Sequence, residues 1–394
     1  MRSLRFPLCL VLAAAGARAA RAQEEPLSRP IWMDVMYPKA FYTLRDGLTV
    51  GGYYAIISPL GYADYLRPPA YRASFSIQGQ ASTSSSRELL AEARLPDLFP
   101  GWRLVASLSA QRRARENYYG IGNDAPFNGA NITDAQPHYY QSLNVRYSAR
   151  TEIQRRVVGP LRLLAGFHAE RWRIDTLPGP SVLRQDLATG ADPTIARPVN
   201  DVSARAGVVI DARDNEVNPR QGALIEAIYS VADSSVAGDL SYTRTTVSAA
   251  GYLTIVPQLV VAARVAGESM GGTPRLGSFY RIEASDRPYE GVGGPASDRA
   301  LEEHRLLGRN KLEANLDLRY DAYAVPTLAR VTVVAFLDAG RVFEPDPFKL
   351  TTKGMQLGGG GGLFLQFGRA GILGTTLGVG PDGLTLLAHT RWTY

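Results

Sequence analysis

The sequence predicts an all-β chain: a transmembrane, antiparallel, up-and-down β-barrel of about 16 strands behind a cleaved signal peptide. Three observations carry this. Long segments alternate apolar and polar side chains with period two. No stretch after residue 22 approaches the length of an apolar membrane-crossing helix. Long connections alternate with short ones along the chain.

Residues 1–22 read as the signal peptide. Arg2 and Arg5 precede an apolar run from Phe6 to Ala15, and Ala20-Arg21-Ala22 offers small residues at a cleavage site before Gln23. The run is shorter than the ~20 apolar residues a bilayer-spanning helix needs. Cys9, the chain's single cysteine, lies inside it. Cleavage removes that residue and with it any disulfide scaffold or cysteine chemistry. Residues 23–36 are then expected as a short periplasmic segment, and 37–394 as the barrel.

Composition narrows the class further. Glycine (39) and tyrosine (20) are abundant, yet mean hydropathy is slightly negative. The formal charge of +6 is modest, and no basic run is interleaved with aromatics, so no nucleic-acid partner is expected.

The strands follow from alternation. In 142–150, Leu143, Val145, Tyr147 and Ala149 share one face, opposite Ser142, Asn144, Arg146, Ser148 and Arg150. In 311–321, Leu312, Ala314, Leu316, Leu318 and Tyr320 oppose Lys311, Glu313, Asn315, Asp317, Arg319 and Asp321. Segment 71–82 repeats the pattern, with Arg72, Ser74, Ser76, Gln78, Gln80 and Ser82 on its polar face. Sandwich strands average about 5–6 residues. These run to about 10–14, enough for a tilted strand to cross a bilayer. Polar faces then line a lumen and apolar faces meet lipid. Closure is expected, because an open edge in hydrocarbon leaves backbone groups unpaired.

Strands are predicted at 37–44, 48–58, 70–83, 86–96, 102–116, 138–157, 161–175 and 200–212. Eight more are predicted at 222–234, 241–255, 258–272, 310–321, 329–339, 357–367, 371–379 and 384–394. The long connections 117–136, 176–199, 273–309 and 340–356 alternate with short ones such as 158–160 and 256–258. This asymmetry matches an integral protein of the Gram-negative outer membrane, with long loops outside and short turns in the periplasm. An even strand count puts both termini in the periplasm. Leu384, Leu386, Ala388, Trp392 and Tyr394 share one parity, which places Trp392 and Tyr394 outward in the interfacial aromatic girdle. An aromatic residue closing the last strand is also similar to the C-terminal signal read by the outer-membrane assembly machinery.

Four features together resemble the barrel domain of the BamA/TamA superfamily, also called bacterial surface antigen. Asp211 to Gly222, with Arg213-Asp214-Asn215 ahead of Asn218-Pro219-Arg220-Gln221-Gly222, resembles the family's turn between two central strands. Gly293 to Leu301 resembles the loop segment bearing the family's Arg-Gly-aromatic motif. Asn315 to Tyr320 resembles the strand that follows. Phe336-Leu337-Asp338-Ala339-Gly340 resembles its Phe-x-Asp-x-Gly strand. The resemblance covers residues 200–394 by motif and the first half by strand spacing alone.

The first turn also has a local rationale: Pro219 and Gly222 supply turn geometry, and Asp214 and Asn215 can accept from nearby amides. The resemblance implies that the long loop 273–309 folds into the lumen, with Arg299 meeting Asp338 near Gly340 and Arg319. Parity independently puts Asp338 inward and Val333, Ala335 and Leu337 outward. Ala300 and Leu301 replace the family's glycine and aromatic, which puts the loop tip's role and an insertase activity in question. Family insertases carry periplasmic polypeptide-transport domains ahead of the barrel, so this chain is expected to be a barrel-only member.

No enzyme, metal or cofactor is expected. Gly267-Glu268-Ser269-Met270-Gly271 matches a nucleophile elbow by pattern, but it closes a predicted barrel strand rather than a strand-turn-helix. His138, His168, His304 and His389 lack metal-ligand spacing. His168 and His389 have inward parity. The run Gly358 to Gly362 lacks the Lys-Ser/Thr of a phosphate loop and is expected to bend a strand or admit the folded loop.

Two functions stay open. One is an accessory in outer-membrane protein assembly or polypeptide translocation, partnered by unfolded outer-membrane or secreted polypeptides and by lipid. The other is a passive or gated pore, or a structural surface antigen. In that case Arg146, Arg150, Arg205, Glu313, Asp317 and Arg319 would set conductance.

Overall fold

The structure is a computed structural model that describes residues 32–43, 45–60, 68–325, 328–368 and 370–394. The signal peptide expected over 1–22 lies outside these.

Sixteen antiparallel strands form one sheet in which each pairs with its sequence neighbours. They begin with β1 (Met33–Thr43), β2 (Gly47–Pro59), β3 (Tyr71–Ser82), β4 (Arg87–Phe99) and β5 (Trp102–Asn117). Next come β6 (Gln141–Val158), β7 (Leu161–Thr176), helix α1 (Val182–Thr189), β8 (Pro198–Asp211) and β9 (Gly222–Ala232). After β10 (Tyr242–Val256) and β11 (Leu259–Gly272), the connection 273–309 holds α2 (Leu276–Phe279) and a small hairpin, β12 (Arg281–Ile282) and β13 (Tyr289–Glu290). The sheet resumes with β14 (Asn310–Val325), β15 (Ala329–Phe343), β16 (Gln356–Phe367), β17 (Gly371–Gly380) and β18 (Gly383–His389).

Alternation sets which way each strand faces. Leu337 is 55% exposed while Asp338 beside it is fully buried. Val333, Phe167, Val247 and Leu316 are likewise exposed, each beside a buried polar residue: Thr332, His168, Thr246 and Asp317. The apolar residues are therefore on the outer surface and the charged ones within, inverting the usual soluble arrangement. The connections at one end are mostly long, among them 118–140, 177–197, 273–309 and 344–355. At the other end lie tight turns such as 159–160 and 257–258.

Three expectations need correction. First, β1 starts at Met33, so the segment expected at 23–36 contributes its last residues to the sheet. Apolar residues occupy both faces there (Met33, Val35 and Met36), which hides the period. Second, β18 stops at His389. Leu384 and Leu386 do face outward, but residues 390–394 leave the ladder and turn into the lumen. Trp392 is 5% exposed and stacks on Phe364 with ring centroids 4.4 Å apart. The Tyr394 hydroxyl donates to the Ala262 carbonyl at 2.9 Å. Inside, both rings pack on the Arg319 guanidinium, at 4.4 and 5.2 Å, a cation–π arrangement worth more in a dry site than at the girdle. Third, β1 and β18 form the two edges of the sheet and are not paired with each other among the described residues. The shortened β18 leaves the backbone of the 11-residue β1 without a matching partner.

Candidate functional site: a plugged lumen

The 273–309 connection does not stand out from the barrel. It folds inward and packs into the lumen, and its arginine is the centre of the packing. Arg299 donates from Nε to Asp338 Oδ2 at 2.8 Å, and from Nη2 to Asp338 Oδ1 at 2.7 Å and Asp317 Oδ1 at 2.6 Å. Its backbone N–H also reaches Asp338 Oδ2 at 2.8 Å. The guanidinium lies 4.1 Å from the Phe336 ring centroid. β15 and β14 supply the two carboxylates because Asp338 and Asp317 have inward parity on these neighbouring strands. Arg319 completes the group, donating to Asp317 Oδ2 from Nε and Nη2 at 3.0 and 2.9 Å. Asn315 Nδ2 bridges Asp338 Oδ1 and the Ser297 carbonyl, at 2.9 and 2.8 Å. All these groups are buried, so each ion pair is held by a planar fork in a low-dielectric setting.

The departures at Ala300 and Leu301 are accommodated. Ala300 is buried against glycines of β16 and β17. A Cβ at Gly358 would stand 2.1 Å from the Ala300 Cβ, and one at Gly380 would stand 2.2 Å from the Ala300 carbonyl oxygen. The glycine run thus admits the folded loop. Gly340 does the same for Val292, whose Cγ1 would lie 2.4 Å from an added Cβ. Leu301 packs with Val292, Leu306 and Val342.

Further along the loop, Glu283 accepts from Arg150 at 2.5 Å and Arg205 at 2.7 Å. Burial alone would raise the Glu283 carboxyl; the surrounding guanidiniums, Arg150 first, outweigh it and hold it well below the usual carboxylate range. Lys311 pairs with Glu268 at 2.6 Å, and the same Glu268 accepts from the Glu283 amide at 2.8 Å. The Gly-x-Ser-x-Gly pattern therefore lies in a barrel strand whose Glu268 holds the loop. Asp298 differs from its neighbours. Its burial, and then the adjacent Asp338, push its carboxyl well above the ordinary range. Oδ1 accepts from the Ala300 amide at 3.0 Å, and Oδ2 has no partner.

Residues 302–305 reach both ends of the open sheet. Glu303 meets Arg45, in the β1–β2 turn, at 2.8 Å, and Arg305 donates to Asp382, in the β17–β18 turn, at 2.5 Å. Nothing in local spacing signalled these pairs. Burial would raise Glu303, but Arg45 and Arg113 hold it down at about 2. Nearby, ligand-type atoms of Glu116, Glu303 and His304 lie within 4.8 Å of one another, a grouping the sequence reading missed. Arg45 and Arg113 already supply positive charge to both carboxylates, so the group reads as an ion-pair network.

From the opposite end, the 212–221 turn closes over the lumen. Asp214 Oδ1 accepts from the amides of Arg220 and Gln221, at 2.9 and 3.1 Å. Asn215 Oδ1 accepts from Val217 and Asn218, at 2.8 and 3.0 Å. Arg213 pairs with Asp211 at 2.8 Å. Gly222 has φ +96°, and a Cβ there would meet the Ala212 carbonyl oxygen at 2.1 Å; only glycine fits. Pro219 follows Asn218, whose side chain donates to Gln366 at 2.7 Å. Val217 packs on the cluster of Ala300, Phe336, Phe364 and Trp392. Loop, turn and C-terminal tail thus meet in one place. His168 and His389 are both buried on the inner side. The inward residues of β3–β5, such as Gln78, Gln80, Ser107 and Gln111, remain only half-buried.

An outward apolar belt, a charged interior and an infolded loop define an outer-membrane β-barrel plugged by its own chain. Residues 73–372 match the Omp85 superfamily domain, and the chain belongs to that superfamily. Its fold is similar to BamA from Haemophilus ducreyi lacking POTRA domains 1–3, with a TM-score of 0.55 and 12% identity over 90% of this chain and 68% of that one. It is also similar to CdiB from Escherichia coli, with a TM-score of 0.58 and 14% identity over 98% of this chain and 68% of that one. No curated protein matches by sequence.

Proposed function

We propose that this barrel acts in assembling or translocating other polypeptides at the outer membrane, with its termini on the periplasmic side and its long loops outside. The observation that supports this most is the pairing of a plugged lumen with an unpaired seam. The infolded loop packs into the route through the barrel, while the edge of β1 has no strand partner among the described residues and so leaves N–H and C=O groups open to pairing. In hydrocarbon each such group costs several kcal/mol, so an incoming strand that pairs with the edge is strongly favoured. BamA and CdiB share the fold, which is consistent with a polypeptide-handling role.

A photocrosslinking side chain at Met36, outward on β1, tests this in cells. Capture of unfolded outer-membrane or secreted polypeptides is expected there and not at Val247 on β10. Equal capture at both positions, or none, contradicts the proposal. The half-buried polar inner face of β3–β5 favours a second reading, a gated pore. Steady conductance without polypeptide capture would support that one.

A further inference from the structure

The outer surface of a membrane barrel should be free of charge wherever it meets lipid. On β9, β10 and β11 it is: the outward positions, among them Ile225, Tyr229, Val247, Leu253 and Val265, carry no charged side chain. The sector from β4 to β7 breaks the rule. Arg87 has the parity of Leu89 on β4, Arg112 that of Leu108 on β5, and Arg171 and Arg173 that of Phe167 on β7. Leu89, Leu108 and Phe167 are all large exposed apolar residues. Four arginines therefore face outward.

Register places them together. Arg87 is directly opposite Arg112, Arg112 opposite Val145 on β6, and Val145 opposite Arg173. Arg87, Arg112 and Arg173 thus occupy one transverse row. Arg171 lies one side-chain step below, opposite Tyr147. The row is near the long-loop ends of the strands, where the apolar belt gives way to polar connections, and neighbouring strands are about 4.8 Å apart. Like charges directly opposite on a sheet repel. Protein partners do little to relieve this. Arg112 donates to the Ser85 carbonyl at 2.5 Å, and Arg173 pairs with Asp175 at 2.7 Å. Among the described residues the side chains of Arg87 and Arg171 have neither a hydrogen bond nor an ion pair. Four guanidiniums thus share one carboxylate.

A separate feature adjoins the row. A groove of about 480 Å³ opens at the same rim, lined by Ser84, Arg112, Arg115, His138 and Pro178 among others. Arg112 belongs to both features. Arg115 donates to the Arg45 carbonyl at 3.0 Å, again a neutral acceptor.

We propose that this rim binds the headgroup of a phosphorylated glycolipid of the lipid A class. The argument is charge complementarity at a fixed depth. Guanidiniums bind phosphate oxygens bidentately, and outward arginines at the edge of an apolar belt lie level with lipid headgroups. The row extends over three strand spacings, about 14 Å, which is too wide for a single phosphate. It suits a headgroup with phosphates at both ends of a disaccharide. Its acyl chains would lie along Leu89, Leu108, Tyr147 and Phe167, and its sugar would face the groove. The inference rests on the orientation proposed above, since such lipid occupies the outer leaflet.

The test reconstitutes the whole chain in phosphatidylcholine nanodiscs containing lipid A, dephosphorylated lipid A or phosphatidylglycerol. Binding is read by native mass spectrometry. Tight retention of lipid A is expected, with a loss of about ten-fold or more in the R87Q/R112Q/R171Q/R173Q variant. Arg155→Gln, an outward arginine stacked on Trp102 near the opposite end, should leave retention unchanged. The R87Q/R171Q pair, which removes no internal contact, should lose part of the affinity and keeps the test informative if the quadruple variant does not fold. Equal binding of phosphatidylglycerol or dephosphorylated lipid A, full competition by inorganic phosphate, or undiminished binding by both variants would overturn the assignment. Thiol labelling of a Ser235→Cys variant, in the β9–β10 loop, on intact cells checks orientation separately. Failure to label there overturns the orientation rather than the chemistry of the rim.

Discussion

Replacing Arg299 by alanine removes the centre of the plug without touching the barrel's strand ladder. The substitution deletes three side-chain hydrogen bonds, at 2.8, 2.7 and 2.6 Å, and the stacking on Phe336. It also leaves Asp338 and Asp317, both fully buried, facing each other's neighbourhood with less positive charge. Arg319 can still neutralise Asp317 through its own pair; Asp338 keeps only neutral donors, Asn315 and the residue-299 amide. Removing one partner of a buried pair costs about 3–5 kcal/mol. At about 1.4 kcal/mol per decade, that shifts the equilibrium between docked and undocked loop tip by roughly two to three and a half orders of magnitude. Single-channel recording in planar bilayers reads the shift directly. The wild type should show low, flickering conductance, and Arg299→Ala frequent larger openings. Arg299→Lys should fall between, since an ammonium cannot reproduce the fork. The R299A/D338A double variant should recover part of the loss, because it no longer strands a buried carboxylate. Arg299→Ala protein that keeps the wild type's heat-modifiable gel shift yet conducts as the wild type would refute the reasoning.

Other predictions follow from the same contacts. Asp298→Asn should leave conductance unchanged, because the Asp298 carboxyl is already pushed toward its neutral form and its Oδ1 needs only to accept from Ala300; a change as large as that of Arg299→Ala would show that Asp298 carries functional charge. Gly358→Ala should open the plug by driving a Cβ to 2.1 Å from Ala300, an overpacking cost of about 1–3 kcal/mol. Gly361→Ala, whose nearest neighbour would be Val334 O at 3.4 Å, should be silent in the same recordings. Acid should loosen the loop only late. The Glu303 carboxyl is held at about 2 against an ordinary value near 4. Its folded-state value is depressed, so its contribution is present above about pH 4 and lost as pH falls toward 2. Conductance should stay flat from neutrality to about pH 4.5 and rise below it; a rise between about pH 8 and 6 would assign the pH response to another group.

Much of this was legible because period-two alternation survives wherever one face of a strand is lipid and the other is lumen. The register of β14 against β15, and the inward direction of Asp338 and Asp317, follow from counting. The same counting failed at the ends. In β1, Met33 and Met36 put apolar side chains on both faces, and parity carries no information. At the C-terminus, Trp392 and Tyr394 fit an interfacial girdle and a cation–π pocket equally well by sequence. The choice was made by Arg319, which lies far away in the chain. Ala300 looked like a degenerate motif because its compensation sits elsewhere, in the missing side chains of Gly358 and Gly380. The pairs that fasten the loop to the first and last hairpins, Glu303 with Arg45 and Arg305 with Asp382, join residues remote in sequence and have no local signature.

The polypeptide-handling role is tested most directly by folding kinetics. A urea-denatured outer-membrane barrel protein is added to liposomes that contain this chain, and its folding is followed by protease resistance. Folding faster than in empty liposomes, abolished when β1 is tied to β18 by an engineered crosslink, is the predicted result. Identical folding rates with the chain present, absent or crosslinked would contradict the account.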